Sequence, residues 1–172
     1  KIGAETILVS GVHPEPYVDK ITNENAIAAS AIASQAGPNG GAGGNVSIHT
    51  RDLEIMDGGR LATDTFGAGK AGNITIDAQK MLVSGESAEM KKFLLDSGGD
   101  PKHAASQITS ASSSFLLKDI ATGDAGAITL NTETLLLEEK GSISSETTTP
   151  GEGGNINIST GNAFFSSGAS IS

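Results

Sequence analysis

The chain has 172 residues, with 11 Lys and Arg against 20 Asp and Glu for a formal charge of −9, and it contains 23 Gly, no Cys and no Trp. An acidic balance with the basic residues scattered argues against a nucleic-acid surface, whose phosphates need basic patches, and the lack of Cys excludes a disulfide scaffold or a thiolate metal site. Aromatics at 3% fit a thin interior of aliphatic side chains, and no apolar run is long enough to span a membrane as a helix.

The first apolar run is Ile7-Leu8-Val9-Ser10-Gly11, which matches Met81-Leu82-Val83-Ser84-Gly85 further on. After an excursion, Gly43-Gly44-Asn45-Val46-Ser47-Ile48 opens a phrase that returns at Ala71-Gly72-Asn73-Ile74-Thr75-Ile76, at Ala125-Gly126-Ala127-Ile128-Thr129-Leu130 and at Gly153-Gly154-Asn155-Ile156-Asn157-Ile158. Asn45 to Asn73 and Ala127 to Asn155 are each 28 residues apart, and Asn73 to Ala127 is 54. A segment that recurs at such a spacing is one supersecondary unit that stacks on copies of itself.

Each copy alternates with period two, the pattern of strands. One and three residues after the Asn position come Val46 and Ile48, Ile74 and Ile76, Ile128 and Leu130, and Ile156 and Ile158. Eight and ten residues after it come Leu53 and Ile55, Met81 and Val83, Leu135 and Leu137, and Ala163 and Phe165. A Gly follows (Gly59, Gly85, Gly141, Gly168), and then Leu61, Ile143 and Ile171 open a third strand, carried on by Thr63 or Ser145. Three short strands in about 28 residues are too few for a propeller blade and suit one coil of a parallel β-helix, an all-β solenoid. About four and a half coils are expected, stacked about 4.8 Å apart. Val46, Ile74, Ile128 and Ile156 would form one internal ladder, and Ile48, Ile76, Leu130 and Ile158 another. Asn45, Asn73 and Asn155 would sit at a bend, each amide pairing with the next coil's Asn where left-handed backbone angles are tolerated, with Ala127 breaking that row.

Two excursions interrupt the period. Val9 to Ile32 contains about 17 extra residues, at 12–29, and Val83 to Ile108 contains 19, at 86–105; both fall at the same corner of the unit. The second reads as a short helix, with Ser87 as its cap, Met90, Phe93 and Leu94 on one face and Gly98 as its stop. About 7 further residues around Phe115-Leu116-Leu117 lengthen another bend. The chain opens and stops in mid-unit without a capping unit, so the expectation is a single β-helix segment, 1–172, of a longer protein.

Motif matches inside the repeat are explained by the repeat. Gly67-Ala68-Gly69-Lys70-Ala71-Gly72 has dinucleotide-binding glycine spacing but runs into a strand, not into the helix that chemistry needs. Asn45-Val46-Ser47 and Asn73-Ile74-Thr75 match the glycosylation sequon but are the repeat phrase itself. His13, His49 and His103 have no partner at metal-ligand spacing, and the calcium-binding acidic nonapeptide is absent. Asp57, Asp64, Asp77, Asp119, Asp124, Glu138 and Glu139 fall at different phases of the repeat, so no catalytic pair stands out. The expectation is no enzyme, no cofactor and no metal. Ser47, Thr75, Thr129 and Asn157 form an outward polar row, as any solvated sheet would. The residues that interrupt the repeat are either binding elements, with Tyr17, Lys91, Lys92, Phe93 and His103 as the candidates for partner contact, or lateral cover for the stack.

The phrase G-G-N-[IV]-x-I-x-[TA]-x-x-[LM]-x-[ILV], followed by Gly, a short apolar-Ser/Thr strand and a Gly-rich return, resembles the repeats of filamentous haemagglutinin-like exoproteins of two-partner secretion in Gram-negative bacteria. The resemblance spans all four copies. It implies a right-handed parallel β-helix, export through an outer-membrane transporter, a secreted or cell-surface location and a structural, adhesive role. Partners would be a glycan or protein receptor, with no membrane insertion and oligomers only by end-to-end stacking of coil edges. The rival readings are a carbohydrate-active β-helix enzyme, either polysaccharide lyase or hydrolase, and the stalk of a secreted toxin.

Overall fold

The computed structural model describes residues 2–13, 17–18, 25–37, 39–113, 122–148 and 150–172. In chain order the elements are β1 (Ile2–Ser10), β2 (Tyr17–Val18), β3 (Asn25–Ala26), β4 (Ala31–Ala36), β5 (Val46–Met56), β6 (Arg60–Thr65), β7 (Ile74–Ser84), α1 (Ala88–Ser97), a 3-10 turn (Pro101–Ala104), β8 (Gln107–Ser112), β9 (Ile128–Glu138), β10 (Ser142–Thr147), β11 (Ile156–Phe165) and β12 (Ser170–Ile171). The fold is all-β, built on two parallel five-stranded sheets, β1-β5-β7-β9-β11 and β4-β6-β8-β10-β12, between which the chain passes alternately.

Equivalent residues of successive repeats pair in register. Val46 lies beside Ile74, Ile74 beside Ile128 and Ile128 beside Ile156, while Ile48, Ile76, Leu130 and Ile158 make a second row. Leu53, Met81 and Leu135, then Ile55, Val83 and Leu137, extend the core along the same strands. Leu61, Ile108 and Ile143 face them from the second sheet. Ile48, Ile76, Leu130, Leu61, Ile108 and Ile143 are each 0% exposed, so alternation of apolar and polar residues has become a sealed aliphatic interior.

The number of strands per repeat differs from the sequence reading. The first two expected strands are one continuous strand of 11 residues in β5, β7 and β9, giving two strands per repeat in the sheets. Pairing skips one residue in the middle, Arg51, Gln79 and Glu133, which are exposed. In β5 and β9 the residue just before it is a buried threonine, where β7 has Ala78. Thr50 Oγ1 donates to the skipped Glu5 carbonyl at 3.0 Å, and Thr132 Oγ1 to the skipped Gln79 carbonyl at 3.1 Å. Each hydroxyl supplies the donor that the ladder omits.

The glycine of the Gly-Asn phrase answers to a different constraint from a bend. A Cβ built on Gly72 would stand 2.1 Å from the carbonyl oxygen of Gly44, one on Gly126 2.0 Å from that of Gly72, and one on Gly154 2.1 Å from that of Gly126. Successive backbones approach too closely there for any side chain. A row of hydroxyls from the second sheet satisfies these glycines. Thr63 Oγ1 and Ser110 Oγ donate to the Gly72 carbonyl at 2.6 and 3.0 Å, and Ser145 Oγ donates to that of Gly126 at 2.7 Å. Ser110 and Ser145 also accept from the Gly126 and Gly154 amides at 2.8 and 3.0 Å. The interior is thus aliphatic along one side and hydroxyl-lined where the glycine row closes on it.

The asparagine row also differs from expectation. The side chains do not pair amide to amide, and none of the three asparagines has a positive φ. Asn45 Oδ1 accepts the Asn73 backbone N–H, and Asn73 Oδ1 that of Ala127, each at 2.8 Å. Ala127 has no side-chain acceptor to pass on, and Asp124 Oδ1 instead accepts the Glu152 N–H at 2.9 Å.

Both excursions leave from one corner on identical roots. Ser30 N donates to the Gly11 carbonyl and Ser106 N to that of Gly85, each at 2.9 Å, and the antiparallel bridges Val12–Ala29 and Glu86–Ala105 close the two bases. The repeat between them turns the same corner tightly through Asp57 and Gly58, at φ 53° and 87°. Within the first excursion β2 and β3 pair antiparallel. In the second, Ser87 Oγ accepts from Met90 N at 3.1 Å to cap α1, and Gly98 ends it at φ 75°. The segment Phe115-Leu116-Leu117 lies outside the described residues.

Replacing Ile76 with Asp puts an unpaired charge between two repeats, and should cost about 4 kcal/mol or more. Thermal unfolding followed by circular dichroism should show loss of the native state; an unchanged midpoint contradicts the row assignment. Gly126→Ala should cost on the order of 1–3 kcal/mol through its clash with the Gly72 carbonyl. Gly41→Ala, where an added Cβ meets nothing within 4 Å, should leave the unfolding midpoint close to that of the parent.

Candidate functional site

Alternation that sends Leu61, Ile108 and Ile143 inward sends their neighbours to the outer face of the second sheet. On β10 these are Ser142, Ser144 and Glu146, and on the adjacent strand Ser170 and then Ser172. The root of the second excursion stands beside this face. Together they enclose a groove of about 300 Å³, with Ser142, Ser144, Ser170 and Ser172 on its floor and Lys102, His103, Lys140 and Glu86 on its sides.

The wall is anchored by paired charges. Glu86, just outside β7, accepts from Lys91 of α1 and from Lys140 of the next repeat, at 3.1 and 3.0 Å for the latter. These two bonds hold its carboxyl below the ordinary range. Gln107 Nε2 donates to the Lys102 carbonyl at 3.0 Å, tying the 3-10 turn to β8. Ser106 Oγ donates to the Ser84 carbonyl and accepts from Gly58 N, so the root and the tight corner share one hydroxyl. His103 is pushed below its ordinary value by desolvation first, then by the positive charges of Arg60 and Lys102.

A second hollow of about 450 Å³ lies along α1, lined by Glu86, Ala88, Lys91, Lys92, Leu95 and Asp96. Lys92 is engaged with Asp96 one helical turn away, and Leu95 is 59% exposed. Glu86 lines both cavities.

The five candidate residues from the sequence therefore do not form one site. Lys91 and Lys92 line the helix hollow and His103 lines the sheet groove. Phe93 is half-buried on α1, its carbonyl accepting from Ser97 Oγ at 2.8 Å. Tyr17 lies in the separate β2–β3 pair. His49 is exposed, and His13 N donates to the Ala28 carbonyl at the root of the first excursion. Ser47, Thr75, Thr129 and Asn157 do align across the first sheet. Among the described residues no three His, Cys, Asp or Glu side chains are grouped to hold a metal ion. Lys140, Glu146 and the four groove serines went unread because outward Ser and Glu on a strand look like any solvated face.

The acidic residues that could have formed a catalytic set occupy unlike environments. Asp57 is at the tight corner, Asp77 accepts from Asn131 Nδ2 at 2.8 Å, Asp124 caps a loop amide, and Asp119 lies outside the described residues. Asp64 is the exceptional one, 6% exposed on the outer face of β6. Its Oδ2 accepts from Gln35 Nε2 at 3.3 Å, while Asp64 Oδ1, Arg60 Nε and Thr109 Oγ1 are buried without a hydrogen-bond partner. Burial raises the Asp64 carboxyl above 3.8, opposed by the Arg60 charge and the Gln35 bond.

Comparison with protein-family models, with curated proteins and with solved structures found no match in any of the three. Among the described residues no helix is long and apolar enough to cross a membrane.

Because the folded-state pKa of Asp64 is raised, folding favours its protonated form. The stability this group contributes is full below pH 3.8 and is lost as pH rises through the folded value. Asp64→Asn retains an acceptor for Gln35 and removes the buried charge. Its unfolding midpoint should match the parent near the acidic end and exceed it increasingly toward neutral pH, read by thermal melts across a pH series. A variant less stable than the parent at neutral pH would show that the charge is favourably held.

Proposed function

We propose that the chain is a segment of a right-handed parallel β-helix in a secreted or cell-surface bacterial exoprotein of the filamentous haemagglutinin-like kind, acting as a rigid scaffold that displays adhesive elements. The observation that carries this reading is the in-register pairing of equivalent residues over five strands in each sheet, with both excursions rooted at one corner. A stack whose layers touch only their neighbours is stiff along its length and indifferent to what leaves at its corners. The excursions then supply surface relief to an otherwise regular polar body. Export by a two-partner route follows from the resemblance of the repeat phrase. The scattered settings of Asp57, Asp64, Asp77 and Asp124 favour a scaffold over a polysaccharide lyase or hydrolase, whose carboxylates must converge.

Beads coated with the chain should be retained under flow on epithelial monolayers or on polysaccharide-coated plates. Replacing residues 86–105 by the Asp57-Gly58 type of tight turn should abolish retention while the β signal in circular dichroism persists. Equal retention of the two would move recognition away from the second excursion. No retention on any surface would remove the adhesive reading. Release of reducing or unsaturated sugar ends from the same polysaccharides would establish the enzymatic rival instead.

A further inference from the structure

We infer that the groove between the 3-10 turn and the outer face of the second sheet binds a neutral, polyhydroxylated glycan. The inference rests on the adhesive reading and names the ligand class of that site.

The floor is a grid of hydroxyls. Ser142 lies beside Ser170 in register, and Ser145 N bonds to the Ser172 carbonyl while Ser172 N bonds to that of Ile143, which sets Ser172 level with Ser144. Neighbours within a row are therefore about 4.8 Å apart, and the two rows about 6.6 Å apart along the strands. Among the described residues, none of these four hydroxyls, nor the exposed Glu146 carboxylate, takes a side-chain hydrogen bond. A hydroxyl both donates and accepts, and a carboxylate accepts from two hydroxyls at once. The complementary ligand is one that presents hydroxyls repeatedly along its length.

Charge decides between a neutral and an acidic saccharide. Lys102 and Lys140 stand against Glu86 and Glu146 around the groove, and Lys140 is already committed to both oxygens of Glu86. His103, with Arg60 and Lys102 near it, is disfavoured as a cation at neutral pH. Lys102 Nζ lies 3.5 Å from Asp100 Oδ2, so both lysines of the lining already face a carboxylate, while Glu146, whose charge acts on His103, accepts no hydrogen bond from either lysine. A carboxylated or sulfated chain would meet that anion without an unpaired cation in return, so a neutral chain is preferred.

The test is titration calorimetry of the whole chain with neutral hexasaccharides (gluco-, manno- and xylo-configured) and with oligogalacturonate and heparin hexasaccharides. At least one neutral ligand should bind, with little change in Kd between about 50 and about 500 mM salt. Glu146→Gln and Ser144→Val should each weaken it about tenfold or more. Lys92→Ala, in the neighbouring hollow, should leave it unchanged. Unfolding midpoints of all variants guard against misfolding, and Ser170→Val at the exposed edge serves as a second floor variant that does not touch the core. Binding confined to the acidic ligands, or a neutral ligand insensitive to Glu146 and both serines, would overturn the assignment. So would failure to bind any of the saccharides. If that failure accompanies excursion-dependent bead retention, the adhesive reading stands and the glycan does not.

Discussion

The structure depends on close backbone approach between successive repeats. Where Gly44, Gly72, Gly126 and Gly154 stack, backbones meet at a distance that admits no Cβ, and a second glycine row, Gly41, Gly69, Gly123 and Gly151, meets as tightly, so the repeats are held in register at both places. Once the glycines are seated, the residue one place beyond the Asn must enter the interior beside its equivalent. Alternation then sends every second residue after it to the same side. The hydroxyls of Thr63, Ser110 and Ser145 lock the seat by satisfying carbonyls and amides that a dry interior would otherwise leave unpaired. An aliphatic residue in those positions would keep the volume and lose the bonds, so this side of the core is polar by necessity.

The same constraint explains how the body tolerates interruptions of about 17 and 19 residues. Gly11 and Gly85 offer their carbonyls to Ser30 and Ser106 across the base of each excursion, restoring the chain to the position that Asp57 and Gly58 reach in a tight turn. Whatever lies outside that base leaves the ladder pairing untouched. Closure of a loop of such length adds little entropy beyond that of a shorter one. Corners are therefore the places where this architecture can acquire a binding element without repacking its interior.

Much of this was legible in the sequence because the inward residues are chemically distinct. Val46, Ile74 and Ile128 are apolar at a fixed period, and Ser87 and Gly98 bracket a helix with standard capping chemistry. The continuous 11-residue strand was not legible, since the pairing resumes after a single skipped residue, Arg51, Gln79 or Glu133, and the hydroxyls of Thr50 and Thr132 that reach a carbonyl of the preceding repeat there leave no local signal. The asparagine row was found in place but misread in mechanism, because a bend and an inter-repeat acceptor both favour Asn. The groove was invisible for a different reason. Ser142, Ser144 and Glu146 acquire meaning only through what stands over them, and nothing in their own spacing reports that Lys102 and His103 are brought to that face. Asp64 shows the converse, an ordinary outward acid by period that becomes buried through its surroundings.

The distribution of charge gives the groove its character. On a chain with 20 acidic and 11 basic residues, a surface patch chosen at random is anionic. Lys91, Lys102 and Lys140 gather at the second excursion, and two of them are drawn to Glu86, whose position at the root is set by the bridge to Ala105. The root that closes the excursion thus also collects the cations that neutralise its surroundings. At this corner paired charges and an uncommitted hydroxyl grid occur together, so the glycan we propose for it would be selected by hydrogen bonding and shape, with long-range charge contributing little.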